Sequence, residues 1–208
     1  MTDRVVFLLD GGFVTKRLGK QLKRPPTAQD IDDLVKKILQ DPNLSGKVLF
    51  RVFFYDSPPF QEKKTHPISR ASVDYSKSAT FKRNTAFFKD LDLTPNFAVR
   101  RGTLLWRGWK LTPKAVSNLL SSGARPLVQT DVVEDFEQKQ VDIKLGLDIA
   151  WIALKGIAKS MVVVTGDSDL VPALKFARKE GVRVFLHTLG MGVGTREELR
   201  VHVDVVLG

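Results

Sequence analysis

Three apolar runs of the sequence end at or just before an aspartate. Val5–Leu9 leads into Asp10, Val48–Tyr55 into Asp56, and Met161–Val164 through two residues into Asp167. The carboxyl ends of strands in a parallel sheet share one edge, and open α/β folds bind their ligands there. The sequence therefore predicts a group of carboxylates at one edge of a sheet.

Two more aspartates belong to the same predicted group. Asp169 follows Asp167 by two residues, and Asp142 opens a helical pattern in which Leu145 and Ile149 continue its face toward the sheet. Asp148 falls on another face, one turn after Lys144, and is interpreted as an exposed partner of that lysine.

An aspartate after a strand is often only a turn residue or a helix N-cap, and each of these aspartates taken alone fits that role. Asp56 keeps this interpretation because Ser57, Pro58 and Pro59 follow it and are typical turn residues. The coincidence of the other four favours a site made of Asp10, Asp142, Asp167 and Asp169.

Carboxylates placed close together at one edge of a sheet would repel one another. Two unit charges about 4 Å apart repel by about 4 kcal/mol at an effective dielectric constant of about 20. Such a group raises its own pKa values or binds a cation. Oxygen ligands without cysteine favour hard ions, so the expected cofactor is Mg²⁺ or Mn²⁺, which activates water and shields a phosphate during hydrolysis.

Continuous apolar runs alternate with helical patterns along most of the chain. The strands are predicted at Val5–Leu9, Val48–Tyr55, Phe97–Val99, Met161–Val164 and Val182–Leu186, with a closing strand at Val203–Leu207. The helices are predicted at Phe13–Leu22, Ile31–Leu39, Val116–Leu120, Val141–Leu154 and Leu170–Lys179. This order predicts an α/β fold of three layers, in which helices flank a central, mainly parallel sheet. Gly190–Gly194 is interpreted as a turn before a short helix capped by Thr195.

Length and composition limit the class of protein. A chain of 208 residues with 43% hydrophobic residues suits one globular domain, predicted over 1–208, with a basic excursion at about 57–96. Its first part, Ser57–Lys77, is interpreted as a loop or a short helical excursion. The absence of cysteine fits a reducing compartment, so the cytoplasm is the expected location. No apolar run approaches the length of a membrane span, so no membrane partner is expected.

The positive charge of the chain is concentrated in one segment. The formal net charge is +10, and residues 61–114 alone hold twelve basic and four acidic residues. This predicts an anionic partner such as nucleic acid. The preferred contacts flank a predicted strand, and Lys139 is a further candidate near Asp142; the set is Arg100, Arg101, Arg107, Lys110 and Lys139. The interleaved Phe87, Phe88 and Trp106 are each interpreted as core residues.

With these residues placed, the chain resembles the NYN domain family, a branch of the PIN-like nucleases. The resemblance is carried by the opening Val6–Phe13, by Phe54–Asp56, by Lys139–Asp142 and by the Thr165–Leu170 segment, Thr-Gly-Asp-Ser-Asp-Leu. It implies a Rossmann-like sheet, a metal site at Asp10, Asp142, Asp167 and Asp169, and metal-dependent endonuclease chemistry, usually on RNA. The chain departs from many relatives in carrying glycines after the first aspartate.

Two other functions compete with a ribonuclease. A non-catalytic RNA-binding or regulatory module of the same fold would keep the basic surface without turnover. A phosphatase of the haloacid dehalogenase type also begins with a strand that ends in aspartate, but it needs a second acid two residues later, where this chain has Gly12.

Overall fold

The computed structural model describes residues 3–190 and 197–208. They group into two compact units, which are described separately. The sheet unit comprises the described residues of Met1–Asp56, Phe87–Gly102 and Gln140–Gly208, and the hairpin unit comprises Ser57–Ala86 and Thr103–Lys139. The hairpin unit therefore contains the predicted excursion at about 57–96 only up to Ala86. It also contains a second segment, Thr103–Lys139.

The sheet unit contains six strands and most of the helices. The strands are β1 (Arg4–Asp10), β2 (Val48–Asp56), β5 (Phe97–Arg101), β8 (Ser160–Val164), β9 (Arg183–His187) and β10 (Val205–Leu207). The helices are α1 (Gly11–Leu22), α2 (Ala28–Leu39), α5 (Val141–Leu154), α6 (Val171–Lys179) and α7 (Glu197–Arg200), and α3 (Ala79–Leu93) extends from the hairpin unit into the sheet unit. The predicted turn at Gly190–Gly194 and its capping Thr195 fall largely outside the described residues.

All six strands of the sheet are parallel, in the order β10-β9-β8-β1-β2-β5. The chain builds outward from β1 to β2 and β5, and later from β8 to β9 and β10 on the other side. The order thus reverses between β1 and β8, which is where open α/β sheets leave a crevice for a ligand. This confirms the predicted α/β class and its parallel sheet.

Alternate residues of each strand pack into one of two cores. Val6 and Leu8 point into the core that holds α5 and α6, whereas Phe7 and Leu9 point into the core that holds α1 and α2. Because both faces of the sheet are covered, the strands are apolar at nearly every position, as the continuous runs predicted. The layered architecture places the loops after β1 and β8 at one edge.

Buried side chains also position the start of α5, which carries Asp142. Leu145, Ile149 and Ile152 are buried against the sheet, as their helical spacing predicted. Asp142 itself is exposed. The buried Tyr55 hydroxyl donates a hydrogen bond to Asp148 Oδ2 at 2.8 Å, which connects the helix to β2. Burial beside Asp148 raises the pKa of Tyr55 well above its usual range, so this hydroxyl keeps its proton.

The hairpin unit is built on two antiparallel strand pairs. Its elements are β3 (Lys63–Thr65), β4 (Ser72–Asp74), β6 (Thr103–Leu111), α4 (Pro113–Ser122) and β7 (Val132–Lys139). The strands β3 and β4 pair with each other, and β6 pairs with β7. The interpretation of Ser57–Lys77 as a loop or a short helical excursion is therefore wrong in part, because β3 and β4 lie within it. The strands β6 and β7 were not predicted.

Aromatic rings take the place of a large aliphatic core in the hairpin unit. Phe60 stacks on Trp106 at 5.8 Å between ring centres and lies 5.2 Å from Phe136. An ion pair fastens the segment before β7, because Arg125 donates two hydrogen bonds to the buried Asp131. Those bonds lower the pKa of Asp131 to about 2. In the part of the chain described here, no helix combines the length and apolar character needed to cross a membrane.

The Tyr55–Asp148 hydrogen bond predicts a measurable coupling between β2 and α5. Hydrogen bonds to charged groups contribute about 1.5–3 kcal/mol, so a double-mutant cycle of Tyr55→Phe and Asp148→Asn should show a coupling free energy of about this size. The measurement is urea unfolding of the wild type, both single variants and the double variant.

Tyr75→Phe provides the matched control, since its hydroxyl also meets a carboxylate, Glu134, at 3.0 Å but in a more exposed setting. Its destabilisation should be smaller than that of Tyr55→Phe. Additive single effects at Tyr55 and Asp148 would contradict the prediction.

Candidate active site at the carboxyl edge of the sheet

Asp10 ends β1 and begins α1. One oxygen of its carboxylate, Oδ1, accepts the backbone N–H of Phe13 at 3.0 Å, which caps the helix. The other, Oδ2, accepts the Thr165 hydroxyl at 3.1 Å. Asp10 is therefore an N-cap, and it also interacts electrostatically with Asp142 and Asp167; its role in a functional site stays a prediction.

Thr165 links Asp10, at the end of β1, with Asp167, after β8. It is fully buried directly after β8, and its hydroxyl both donates to Asp10 and accepts the backbone N–H of Asp167 at 3.1 Å. Thr165 is part of the Thr165–Leu170 motif, but the motif alone assigned it no role. The available signal was its position between a buried strand and Asp167.

Asp167 and Asp169 belong to a tight 3₁₀ turn, Ser168–Leu170, that leads into α6. Asp167 Oδ1 accepts the backbone N–H of Asp169 at 3.0 Å, so Asp167 caps this turn. Asp167 is half-buried and Asp169 is exposed. The turn thus holds one carboxylate firmly and leaves the other in water.

The four carboxylates interact electrostatically. Burial raises the pKa of Asp10, the hydrogen bonds from Phe13 and Thr165 oppose that rise, and the charges of Asp142 and Asp167 add to it. Although Asp142 is exposed, neighbouring protein atoms displace part of the water around its carboxylate and raise its pKa, with further contributions from the charges of Asp167 and Asp169. Carboxylates of raised pKa at the reversal point of a parallel sheet are typical of a functional site.

The donor chemistry of this group fits a hard divalent cation, because every donor is a carboxylate oxygen and mutual repulsion favours a bound positive charge. Within residues 3–190 and 197–208, however, no three acidic, histidine or cysteine side chains stand close enough together to form a ready metal site. No lysine or arginine of these residues forms an ion pair with any of the four aspartates. The structure thus shows a coupled acidic group, and its role as a metal site stays a prediction.

Asp148 has different partners from those predicted. It accepts hydrogen bonds from Tyr55 and, at 3.0 Å, from Arg100 Nε. The prediction of a Lys144 pair was wrong, because the Lys144 ammonium donates instead to the backbone carbonyl of Arg101 at 2.6 Å. The spacing of four residues along α5 permitted the pair, but neighbouring β2 and β5 offer both side chains closer partners.

The predicted nucleic-acid contacts all take part in ion pairs. In the sheet unit Arg100 pairs with Asp148 and Arg101 with Asp92. In the hairpin unit the pairs are Arg107 with Glu137, Lys110 with Asp135 and Lys139 with Glu137. Their role in binding remains a prediction, and any phosphate must compete with a carboxylate for each of them.

The aromatic residues of the basic segment mostly pack inward. Phe88 is buried, and Phe87 packs edge-on against the core residue Phe54 with 5.8 Å between ring centres. Trp106 is half-buried among the rings of the hairpin unit. The interpretation of Phe87 and Phe88 as core residues is confirmed, and Trp106 belongs to the smaller aromatic cluster.

The parallel sheet with helices on both of its faces is a three-layer α/β fold, consistent with a PIN-like NYN domain. The NYN domain family matches residues 73–207, about two thirds of the chain. The protein belongs to the NYN domain family, a PIN-like nuclease family. The matched span contains Asp142, Asp167 and Asp169, while Asp10 precedes it.

One solved structure resembles the protein along nearly its whole length. It is a protein of unknown function from Vibrio parahaemolyticus, 12% identical, with a TM-score of 0.52, and the match covers 99% of this chain and 91% of that one. At this identity the similarity supports the fold alone. No curated protein matches the sequence.

The glycine after Asp10 is predicted to be essential for the position of α1. A Cβ at Gly11 would lie 2.6 Å from the Tyr55 carbonyl oxygen and 2.7 Å from Asp56 Cβ. Because both groups belong to β2, Gly11→Ala should lower the free energy of unfolding by about 1–3 kcal/mol, as overpacking commonly does. Urea unfolding followed by circular dichroism measures the loss.

Gly146→Ala in α5 is the control, since its added Cβ would meet only Ala173 Cβ, at an ordinary 3.8 Å. Alanine is favoured over glycine in a helix by about 1 kcal/mol, so this variant should be as stable as the wild type or more so. Equal destabilisation of both variants would contradict the steric argument at Gly11.

Proposed function

We propose that this protein is a metal-dependent endoribonuclease that hydrolyses phosphodiester bonds of RNA at the edge between β1 and β8. The observation that carries the proposal is the mutual electrostatic coupling of Asp10, Asp142, Asp167 and Asp169 in a member of a nuclease family. Acidic groups of this kind are unfavourable without a positive charge, which supports a cation as their partner.

In this proposal the four aspartates hold Mg²⁺ or Mn²⁺. When bound, such an ion lowers the pKa of water and shields the charge of a phosphate during in-line displacement. Thr165 keeps Asp10 and Asp167 in place through its single hydroxyl. The exposed Asp142 and Asp169 are able to rotate toward a cation, because each side chain lies in water.

The RNA backbone would be held by cations of the basic segment, residues 61–114, and by Lys139. Arg100 and Arg101 are the candidates in the sheet unit, and Arg107, Lys110 and Lys139 those in the hairpin unit. Exposed ion pairs contribute only about 0–1 kcal/mol, so exchange of a carboxylate for a phosphate costs little at these positions. Release of counterions from the RNA then favours binding, with a strong dependence on salt.

A non-catalytic RNA-binding module is the second candidate function. It is favoured by the finding that no three potential ligands of the described chain form a ready metal site. This function would give tight, salt-dependent RNA binding that neither Mg²⁺ nor Mn²⁺ changes, and no cleavage. The two candidates share the fold and the basic surface, so turnover separates them.

Cleavage assays test the enzymatic proposal directly. Purified wild-type protein should cleave labelled single-stranded or structured RNA in Mg²⁺ or Mn²⁺, and EDTA should stop the reaction. Asp10→Asn and Asp167→Asn should each reduce the rate by about a hundredfold or more, a typical effect of removing one preorganised group from a reacting site.

The matched control is Asp33→Asn, the same chemical change at an exposed position of α2. It should cleave at the wild-type rate. Cleavage that survives both Asp10→Asn and Asp167→Asn would identify a contaminating nuclease and remove the support for the proposal.

Calorimetric titration with Mn²⁺ tests the metal site without any substrate. The wild type should bind the ion, and Asp142→Ala should lose at least about tenfold in affinity, a change of about 1.4 kcal/mol. Because the pKa values of Asp10 and Asp142 are raised, protons compete with the ion at acidic pH, and affinity should fall as the pH is lowered toward those pKa values. Affinity independent of both Asp142 and pH would place the ion elsewhere.

A further inference from the structure

Helix α5 exposes an apolar stripe that its packing does not explain. Ile143, Leu147 and Leu154 are each about two thirds exposed, and Trp151 is about half exposed. Their spacing of four, four and three residues places them on one face of the helix, opposite the buried Leu145 and Ile152. A helix that is apolar on both faces normally has a partner on each, and exposed apolar patches mark binding surfaces.

A groove runs along one side of this stripe, between α5 and the start of α6. Its volume is ≈ 340 Å³, and its lining residues are Asp142, Ile143, Gly146, Leu147, Asp169, Leu170, Pro172 and Ala173. All of them are uncharged except Asp142 and Asp169, two of the four aspartates of the candidate site. A ligand in this groove therefore lies beside those two carboxylates, which favours a neutral ligand.

A second groove lies on the other side of the stripe and has the opposite character. Its volume is ≈ 360 Å³, and it is lined by Val99, Arg100, Arg101, Lys144, Leu147 and Asp148. Leu147 lines both grooves, so one apolar ridge separates them. Three cations against one carboxylate make this second groove attractive to an anion.

A single RNA strand has the chemistry that matches this pair of grooves. Its phosphates suit the cationic groove and, when no cation is bound, are repelled by Asp142 and Asp169, whereas its bases are flat, neutral and largely apolar on their faces. A volume near the lower end of the usual range for ligand pockets, about 300–1,000 Å³, suits one base rather than several. A base inside a duplex is stacked and paired and cannot enter.

We propose that the groove between α5 and α6 is a subsite for one unpaired nucleobase of the RNA, next to the acidic group. The inference rests on the proposed function and adds to it a preference for unpaired RNA. Gly146 is the position that keeps the groove open, because it contributes no side chain and a Cβ there would meet only Ala173.

Binding measured without turnover tests this subsite. The probe is a fluorescein-labelled oligoribonucleotide of about twelve nucleotides without self-complementarity, followed by fluorescence anisotropy in EDTA. Gly146→Leu fills the groove from α5 and should weaken binding about tenfold, a change of about 1.4 kcal/mol, as expected for loss of one stacked base. A blunt duplex of the same sequence should bind the wild type more weakly, and Gly146→Leu should not change its affinity.

The control is Ala150→Leu, which adds a similar bulk one helical turn further along α5, outside the residues that line the groove. It should bind the single strand as the wild type does. Ala173→Leu fills the groove from α6 and should reproduce the loss seen with Gly146→Leu. Leucine is favoured over glycine in helices, and circular dichroism confirms that each variant is folded.

Three results would overturn the subsite: wild-type affinity in both groove-filling variants, an equal loss in Ala150→Leu, or a change in oligomeric state on sedimentation that accounts for the loss. The last would make the stripe an interface between copies of the chain. Failure of the proposed function is separate, because absent cleavage with groove-dependent binding leaves the subsite in place. Active cleavage with groove-independent binding removes the subsite alone.

Discussion

Repulsion between like charges at the edge between β1 and β8 is the constraint on which the candidate site depends. Hydrogen bonds offset this repulsion at two of the aspartates. Asp10 accepts the Phe13 N–H and the Thr165 hydroxyl, and Asp167 accepts the Asp169 N–H. Such bonds favour the charged form of a carboxylate and hold its direction. Asp142 and Asp169 remain exposed, so water screens them. Half of the acidic group is thus fixed by hydrogen bonds and half is exposed.

The cations predicted to bind nucleic acid are already paired with carboxylates. Arg100 is the clearest case, since Asp148 receives both its guanidinium and the buried Tyr55 hydroxyl. The net charge of +10 still attracts a polyanion over a distance. Close contact then depends on exchanging one partner for another, which makes salt and local geometry more important than the number of cations.

The predictions from sequence succeeded for the elements that a local residue pattern identifies. The strands around Phe7 and Val163 are buried on both faces, so their apolar runs are uninterrupted and were recognised. The strands β6 and β7 were missed because alternating charged residues such as Arg107 and Glu137 mask their pattern, and because a helix and a long connection separate them. Asp148 was misassigned because helical spacing considers only one element, while its actual partners lie on β2 and β5.

The amino-acid sequence by itself determined the parallel α/β class and the placement of Asp10 and Asp167 at or just after the carboxyl ends of two strands. Only the tertiary structure decided that Thr165 joins these two aspartates, that Gly11 touches β2, and that an open groove begins beside Asp142. The reason is physical: periodicity reports which face of an element is buried, whereas these contacts join residues as far apart as 155 positions. Their existence depends on how the layers pack, and no local pattern carries that information.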